Sequence, residues 1–303
     1  METFLQLIIS GILVGSIYAL VALGWTLIYK CSGVLNLAMG ELTLLGAYVC
    51  LTFYTWGFPF PVALLATLIV GFVLGLLTER LFLRRMIGQP ILAVIMITVG
   101  LSFFFRALVG FIWGTDTRVF APQVFPTEPV RFGKMVLGQV YIWSFLAALV
   151  LLVIFVAFFQ YSRWGLSMQA TADDEMAALS LGVSAKRVYA LAWAIAFMAA
   201  GVGGTLLGNI NGLNISVGYL GILVLPAVVL GGLNSVPGAI VGGITIGILQ
   251  NLSGGYLEQL TPGGVKEIAP FVFMVIIMLF RPYGLWGWEK IDGLWGWEKI
   301  ERV

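Results

Sequence analysis

The residues able to do polar chemistry in this chain are few, and they fall in four places. Glu41 lies inside the apolar segment GVLNLAMGELTLLGAYV, from 33 to 49. A carboxylate there, with no cation near it in sequence, must reach water or find hydrogen-bond donors. It either lines a solute path or holds a neighbouring helix. Arg106 sits about two turns from the outer end of its own apolar segment, where its long stem would carry the guanidinium up to the interface. The amides Asn36, Asn209, Asn211 and Asn214 fall near expected helix ends; capping is their ordinary use and solute contact the alternative. The fourth place is a polar stretch, GLSMQATADDEMAALSLGVSAKRV, from Gly165 to Val188.

Absences narrow the chemistry. The chain has no histidine, which excludes Ser-His-Asp hydrolysis, HExxH zinc sites and histidine-ligated haem. Its two cysteines, Cys31 and Cys50, are too few for a disulfide framework and read as small buried hydrophobes. No lysine completes a phosphate-binding GxxxxGK[ST] loop, since Gly133-Lys134 is followed by Met135. The chain therefore has no P-loop of its own for ATP, and no metal or cofactor site is expected. A net charge of +2, with basic residues in short clusters, gives no nucleic-acid footprint.

The elements that must position these residues follow from composition. Of the 303 residues 60% are hydrophobic and 10% charged, and the mean hydropathy is +1.04. A bilayer-spanning helix needs about 20 apolar residues, and uncharged stretches of that length recur. The expected fold is all-α: a polytopic helical membrane bundle forming one transmembrane domain over 1–303. Spans are expected at 3–29, 34–56, 60–79, 91–113, 139–160, 188–209, 218–233, 237–254 and 268–281. The span at 218–233 is short, so the count is eight if it is re-entrant and nine if it crosses. The first span is a retained helix rather than a cleaved signal peptide, because Glu2 precedes it and no A-x-A-like site follows.

Nine spans satisfy the positive-inside rule with the N-terminus outside. Lys30, Arg80, Arg84, Arg85, Arg163, Lys186, Arg187, Arg281, Lys290, Lys299 and Arg302 then lie in the cytoplasm, and Arg118, Arg131, Lys134 and Lys266 outside. PVALLATLIVGFVLG from Pro61 and PGAIVGGITIGILQN from Pro237 match at Pro61/Pro237, Ala63/Ala239 and Gly71/Gly247. Five spans separate the two copies, so they are oppositely oriented, as in the inverted repeats of transport proteins. Glycines at four-residue spacing, Gly204/Gly208/Gly212, Gly238/Gly242 and Gly243/Gly247, let helix backbones approach closely or interrupt helices along a path.

The polar stretch forms the cytoplasmic loop 161–187 and carries its own helix signals. Thr171 with Asp174 resembles a capping box, Asp173, Asp174 and Glu175 suit a helix N-terminus, and Gly182 suits the stop. A short helix over Ala172–Leu181 is predicted. Met176, Ala177, Leu179 and Leu181 are too apolar for a fully solvated loop, and a large basic face for lying on lipid is missing. Docking to a cytoplasmic partner is the expectation.

At this point the chain resembles a known family. GVLNLAMGELTLLGAYV, ATADDEMAALSLGVSAKRVYALAWAIAFMAAGVGGTLLG and VVLGGLNSVPGAIVGGITIGILQ are similar to the LivH-type permease subunit of branched-chain amino acid importers driven by ATP-binding cassettes. The resemblance covers nearly the whole chain. It implies a bacterial inner-membrane permease working with a LivM-like second permease, two cytoplasmic LivG/LivF-like ATPase subunits that bind the ATP, and a periplasmic substrate-binding protein. It also implies that Ala172, Asp173, Glu175, Met176, Ala177, Leu179 and Gly182 form the ATPase-coupling helix. Two positions depart from the family pattern: Met39 stands where His is usual, and Gln169 where Arg is usual. The tail 282–303 contains GLWGWEKI twice, at 284–291 and 293–300, with the second copy's Trp residues expected at the membrane interface. The rival class is a partner-independent channel or ion-coupled secondary carrier, for which Glu41 alone is thin support.

Overall fold

A backbone crossing hydrocarbon must satisfy its own hydrogen bonds, so uncharged stretches of this length fold as helices. The computed structural model describes residues 2–86, 89–126, 128–132, 135–258, 263–282 and 284–287. In chain order the helices are α1 (Glu2–Ser32), α2 (Met39–Thr55), α3 (Phe60–Leu81), α4 (Ile91–Trp113), α5 (Gln139–Tyr161), α6 (Arg163–Asp173), α7 (Glu175–Ser180), α8 (Ala185–Asn211), α9 (Leu220–Gly231), α10 (Val236–Tyr256) and α11 (Val265–Phe280). Proline sets several starts, because its missing N–H costs nothing in a first turn. Pro61 and Pro237 stand in the first turns of α3 and α10, and Ser235 Oγ accepts the Gly238 N–H to cap α10. A two-stranded hairpin, β1 (Pro129–Phe132) and β2 (Met135–Gly138), lies in the loop between α4 and α5. Gln6 Nε2 donates to the Val136 carbonyl at 3.0 Å and ties the hairpin to α1.

Among the described residues the chain runs from one end of the bundle to the other nine times. Lys30, Arg80, Arg84, Arg85, Arg163, Lys186, Arg187 and Arg281 gather at one end, which the positive-inside rule makes the cytoplasmic one. Arg118, Arg131 and Lys266 lie at the other. Six helices are long and apolar enough to cross alone; α2, α9 and α11 have 17, 12 and 16 residues. α2 and α9 each finish a crossing that begins outside the α-helix, over 33–38 as irregular chain and over 212–219 as a short loop followed by the 3-10 turn Ile215–Tyr219. The stretch expected to be either a span or a re-entrant loop crosses. It pairs at Leu213 with Arg118 at the outer end, then turns helical and reaches the basic end at Gly231. The span expected from 34 begins five residues late. Gly33, at φ +67°, ends α1, and Asn36 Oδ1 accepts the Ala38 N–H at 3.1 Å to bend the chain inward before α2.

Helices α1–α4 and α8–α11 pack by the same plan in opposite orientations. α1 lies on α10 as α8 lies on α3; α2 touches α8 as α9 touches α1; α4 flanks α2 as α11 flanks α9. Pro61 and Pro237, matched in sequence, occupy equivalent first turns in this plan. α1 and α8 are the buried centre, whereas α3, α4 and α5 turn Ile69, Phe103 and Val153 outward as a lipid-facing surface. The start of the first GLWGWEKI copy adds to the end of α9, with Leu285 and Trp286 N–H donating to the Leu230 and Gly231 carbonyls. The second copy lies outside the described residues.

The α1–α10 crossing depends on absent side chains. A Cβ on Gly15 would meet the backbone of Ile244, and one on Gly243 would meet the backbone of Ala19. Gly243→Val should therefore overpack this crossing and cost about 1–3 kcal/mol or more. The check is monodisperse yield by fluorescence size-exclusion of a tagged chain, which is expected to fall sharply.

Candidate translocation site and cytoplasmic helix

Glu41 stands in the first turn of α2 and is nearly fully buried, its side chain 4% exposed. Arg106 Nε donates to its Oε1 at 2.9 Å, and Arg106 Nη2 reaches the same oxygen at 2.6 Å. The guanidinium also lies over the Tyr219 ring, 4.8 Å from its centroid. Two expectations are thereby corrected: Glu41 has a cation beside it, and Arg106 does not rise to the interface. Helical side chains lean toward their own N-terminus, which aims Arg106 back into the membrane rather than outward. At low dielectric the opposite charge there is a stronger attraction than a distant interface.

The depth of this pair follows from its neighbours. The Leu37 N–H donates to Thr98 Oγ1 at 3.3 Å, and Trp113 Nε1 donates to Thr52 Oγ1 at 2.8 Å, so α2 runs beside α4 only from Thr98 outward. At 1.5 Å per residue its first turn lies about 10 Å inward of the start of α4. The N-terminus of α9 arrives at the same place from the opposite end. A Cβ on Gly40 would overlap the Gly218 carbonyl and the Gly221 backbone, and one on Gly221 would overlap Gly40. The first turn of α2 and the 3-10-to-α junction at the start of α9 thus meet inside the membrane, with the Glu41 carboxylate beside them. The Gly218 backbone is pressed against that carboxylate.

One side of this arrangement is open. The Arg106 side chain is 30% exposed and Tyr219 is 51% exposed. A guanidinium at such depth is not left against lipid tails. This face must meet a water-filled path or a second protein.

The four amides do not converge. Asn36 is fully buried and spends its side chain on the Ala38 N–H and on Met39 Sδ, at the start of α2. Asn209 Nδ2 donates to Thr205 O within α8. Asn214 Oδ1 accepts the Ser216 N–H and opens the turn before α9. Only Asn211 and Asn214 share a space, a cavity at the outer end. Met39, where the family pattern has His, is fully buried against Gly24 and does not reach that cavity. Gln169 Nε2 donates to the Phe159 carbonyl at 2.6 Å and so pins α6 to the end of α5.

The helix predicted over Ala172–Leu181 is broken in two at Asp174. Asp174 takes extended backbone and is the true cap of α7, its Oδ1 accepting the Ala177 N–H at 2.9 Å. Thr171 is not the cap; it sits inside α6 and its Oγ1 donates to Ser167 O. Gly182, at φ +85°, provides the stop. Asp173, Glu175, Met176, Ala177, Leu179 and Gly182 are exposed, while Ala172 is buried and cannot touch a partner directly. Met176, Leu179 and Leu181, at 75%, 46% and 84% exposure, form an apolar face at the basic end.

Reading by residue type overlooked Tyr219, Gly218 and the pairing of Arg106. Charge balance was the available signal for the last, since Glu41 and Arg106 are both deep in apolar segments and opposite in sign.

The family of branched-chain amino acid transport system permease components matches this chain over residues 7–280. The high-affinity branched-chain amino acid transport system permease protein LivH of Escherichia coli (strain K12) is 32% identical, over 95% of this chain and 97% of LivH. BraD, the corresponding permease protein of Pseudomonas aeruginosa, is 29% identical over 95% of this chain and 97% of its own length. LivM, a further permease protein of the high-affinity system in Escherichia coli (strain K12), is 27% identical over 89% of this chain and 67% of LivM.

Removing one partner of a buried pair leaves an uncompensated charge. Arg106→Met should destabilise the chain by about 3–5 kcal/mol, and Glu41→Gln added to it should restore much of the loss. Thermal unfolding of the purified variants in detergent checks both changes.

Proposed function

The chain belongs to the family of branched-chain amino acid transport permease components, and from that premise we propose the solute it carries, the partners it works with and the route of its coupling. It is a permease subunit of an ATP-binding cassette importer: a multi-pass membrane transport protein, not an enzyme. That membership sets aside the partner-independent channel or carrier. The proposed solute is a branched-chain amino acid or a related small amphipathic molecule, handed over by a periplasmic binding protein at the bacterial inner membrane. The transporter is completed by a LivM-like second permease and two cytoplasmic LivG/LivF-like ATPases, which bind and hydrolyse the ATP.

The observation that carries the coupling proposal is the exposed apolar face of α7 at the basic end. Met176, Leu179 and Leu181 are bounded by Asp173, Asp174 and Glu175, and apolar side chains so exposed in water are ordinarily covered by protein. An ATPase groove is the proposed cover, with Ala177 small enough to admit close approach. Buried Ala172 supports the contact from beneath. α6 packs on α1, α5 and α8, and α7 packs on α8. A displacement of α7 would therefore act on the two central helices that lead into the segments 33–38 and 212–219. Moving those segments would shift the two helix N-termini around Glu41 and alternate access, a rigid-body coupling between sites.

The open face of Arg106 is proposed to line the path, with Glu41 holding it in place. Asn36 and Asn209 support the backbone, and Asn211 and Asn214 face the outer end of the route.

Ala177→Trp should abolish ATP-dependent uptake while leaving the amount of membrane-inserted chain unchanged, and the ATPase subunits should no longer co-purify. Uptake at the parental rate by this variant would sink the docking assignment.

A further inference from the structure

The outer cavity holds more of the chemistry of a binding site than its two asparagines. Its volume is about 640 Å³, inside the range of roughly 300–1,000 Å³ common for small-molecule sites. It is enclosed by the end of α8, the start of α9, α10 and the first turn of α11, with Tyr18 of α1 also on its wall. Gln250 lines it from α10, is 2% exposed, and has a side-chain carbonyl oxygen with no hydrogen-bond partner. A buried amide is ordinarily satisfied; this oxygen is shielded from the cavity, so a ligand would bond it once the side chain turns toward the open space. Lys266 and Glu267 stand side by side at the rim, exposed, and form no ion pair among the described residues. Leu207, Leu223 and Phe271 give it an apolar wall.

These features select a ligand class. Adjacent opposite charges suit a molecule carrying both a carboxylate and an ammonium group, the amide suits its polar head, and the apolar wall suits an aliphatic side chain. Tyr219 also lines this space while its ring lies under Arg106, so the cavity abuts the charged pair. We propose that the cavity is an outer holding site for a small zwitterion with an aliphatic side chain, bound by Gln250, Lys266 and Glu267 before it passes to the Arg106 face. The proposal rests on the importer reading and adds the site and its residues.

The test uses the assembled transporter in vesicles, with Ser216→Cys placed on the cavity wall. Cys31 and Cys50 are buried and give little background. A membrane-impermeant maleimide labels the new thiol, and L-leucine at about four times its dissociation constant should slow labelling about fivefold, by one plus the ratio of ligand to Kd. Mannitol should have no effect. Adding Gln250→Leu should remove the slowing while leaving the unprotected rate unchanged; if that variant does not assemble, Lys266→Met at the exposed rim carries the same expectation. ATP-dependent leucine uptake is measured on the same vesicles. Uptake without protection, or equal protection by mannitol, overturns the holding site alone. Protection without ATP-dependent uptake supports the site and overturns the importer reading.

Discussion

Two helix N-termini meeting head to head inside a membrane is the constraint on which the rest of this structure depends. The starts of α2 and α9, the latter continuing the 3-10 turn Ile215–Tyr219, bring two helix ends together beside one open face. Gly40 and Gly221 let the backbones touch, and the Glu41 carboxylate lies beside the contact. That carboxylate would itself be intolerable there without a cation. Arg106, delivered from α4, completes the balance and in doing so becomes the most exposed charge at that depth.

The surrounding helices read as the means of holding this junction. Each short helix is fed by a connecting segment from the end of a long central one, 33–38 from α1 and 212–219 from α8. α10 braces α1 and α3 braces α8, by the same plan turned over. In such an arrangement the junction is a property of α1 and α8 jointly. α6 packs on both central helices and α7 on α8. A permease without bond chemistry needs a mechanical link of this kind between its cytoplasmic surface and its path.

How much of this was legible in the sequence varied with the physics involved. The long helices were, because hydrocarbon thickness and charge exclusion act locally; α4 falls on its expected limits of 91 and 113. The opposite orientation of the Pro61 and Pro237 segments was readable only with 218–233 counted as a crossing, which the sequence left open. The late start of α2 was not, because residues 34–38 are apolar enough for a helix and only the tertiary bond from Leu37 to Thr98 shows them leaving it. The Glu41–Arg106 pair joins residues 65 apart, beyond the reach of any local pattern. In the cytoplasmic segment Thr171 satisfied the capping motif as well as Asp174 did, and only the extended backbone at Asp174, which divides the helix in two, shows that Asp174 is the cap. Gln250 was passed over because one amide within α10 looks like an ordinary polar helix residue, and its significance lies in the cavity that four other elements build beside it.

The most direct test of the central junction is the thermal stability of Gly221→Ala in the purified chain, beside Gly218→Ala and an alanine on the lipid-facing side at Gly100, where a Cβ meets nothing within 4 Å. If the two N-termini meet as described, Gly221→Ala and Gly218→Ala lose several degrees of melting temperature or fail to accumulate, while Gly100→Ala is neutral. Native-like melting of Gly221→Ala would contradict the account, because a methyl group there overlaps the Gly40 backbone and forces α2 and α9 apart; at Gly218 the methyl group meets the Glu41 carboxylate, so its cost reports on the charged pair instead.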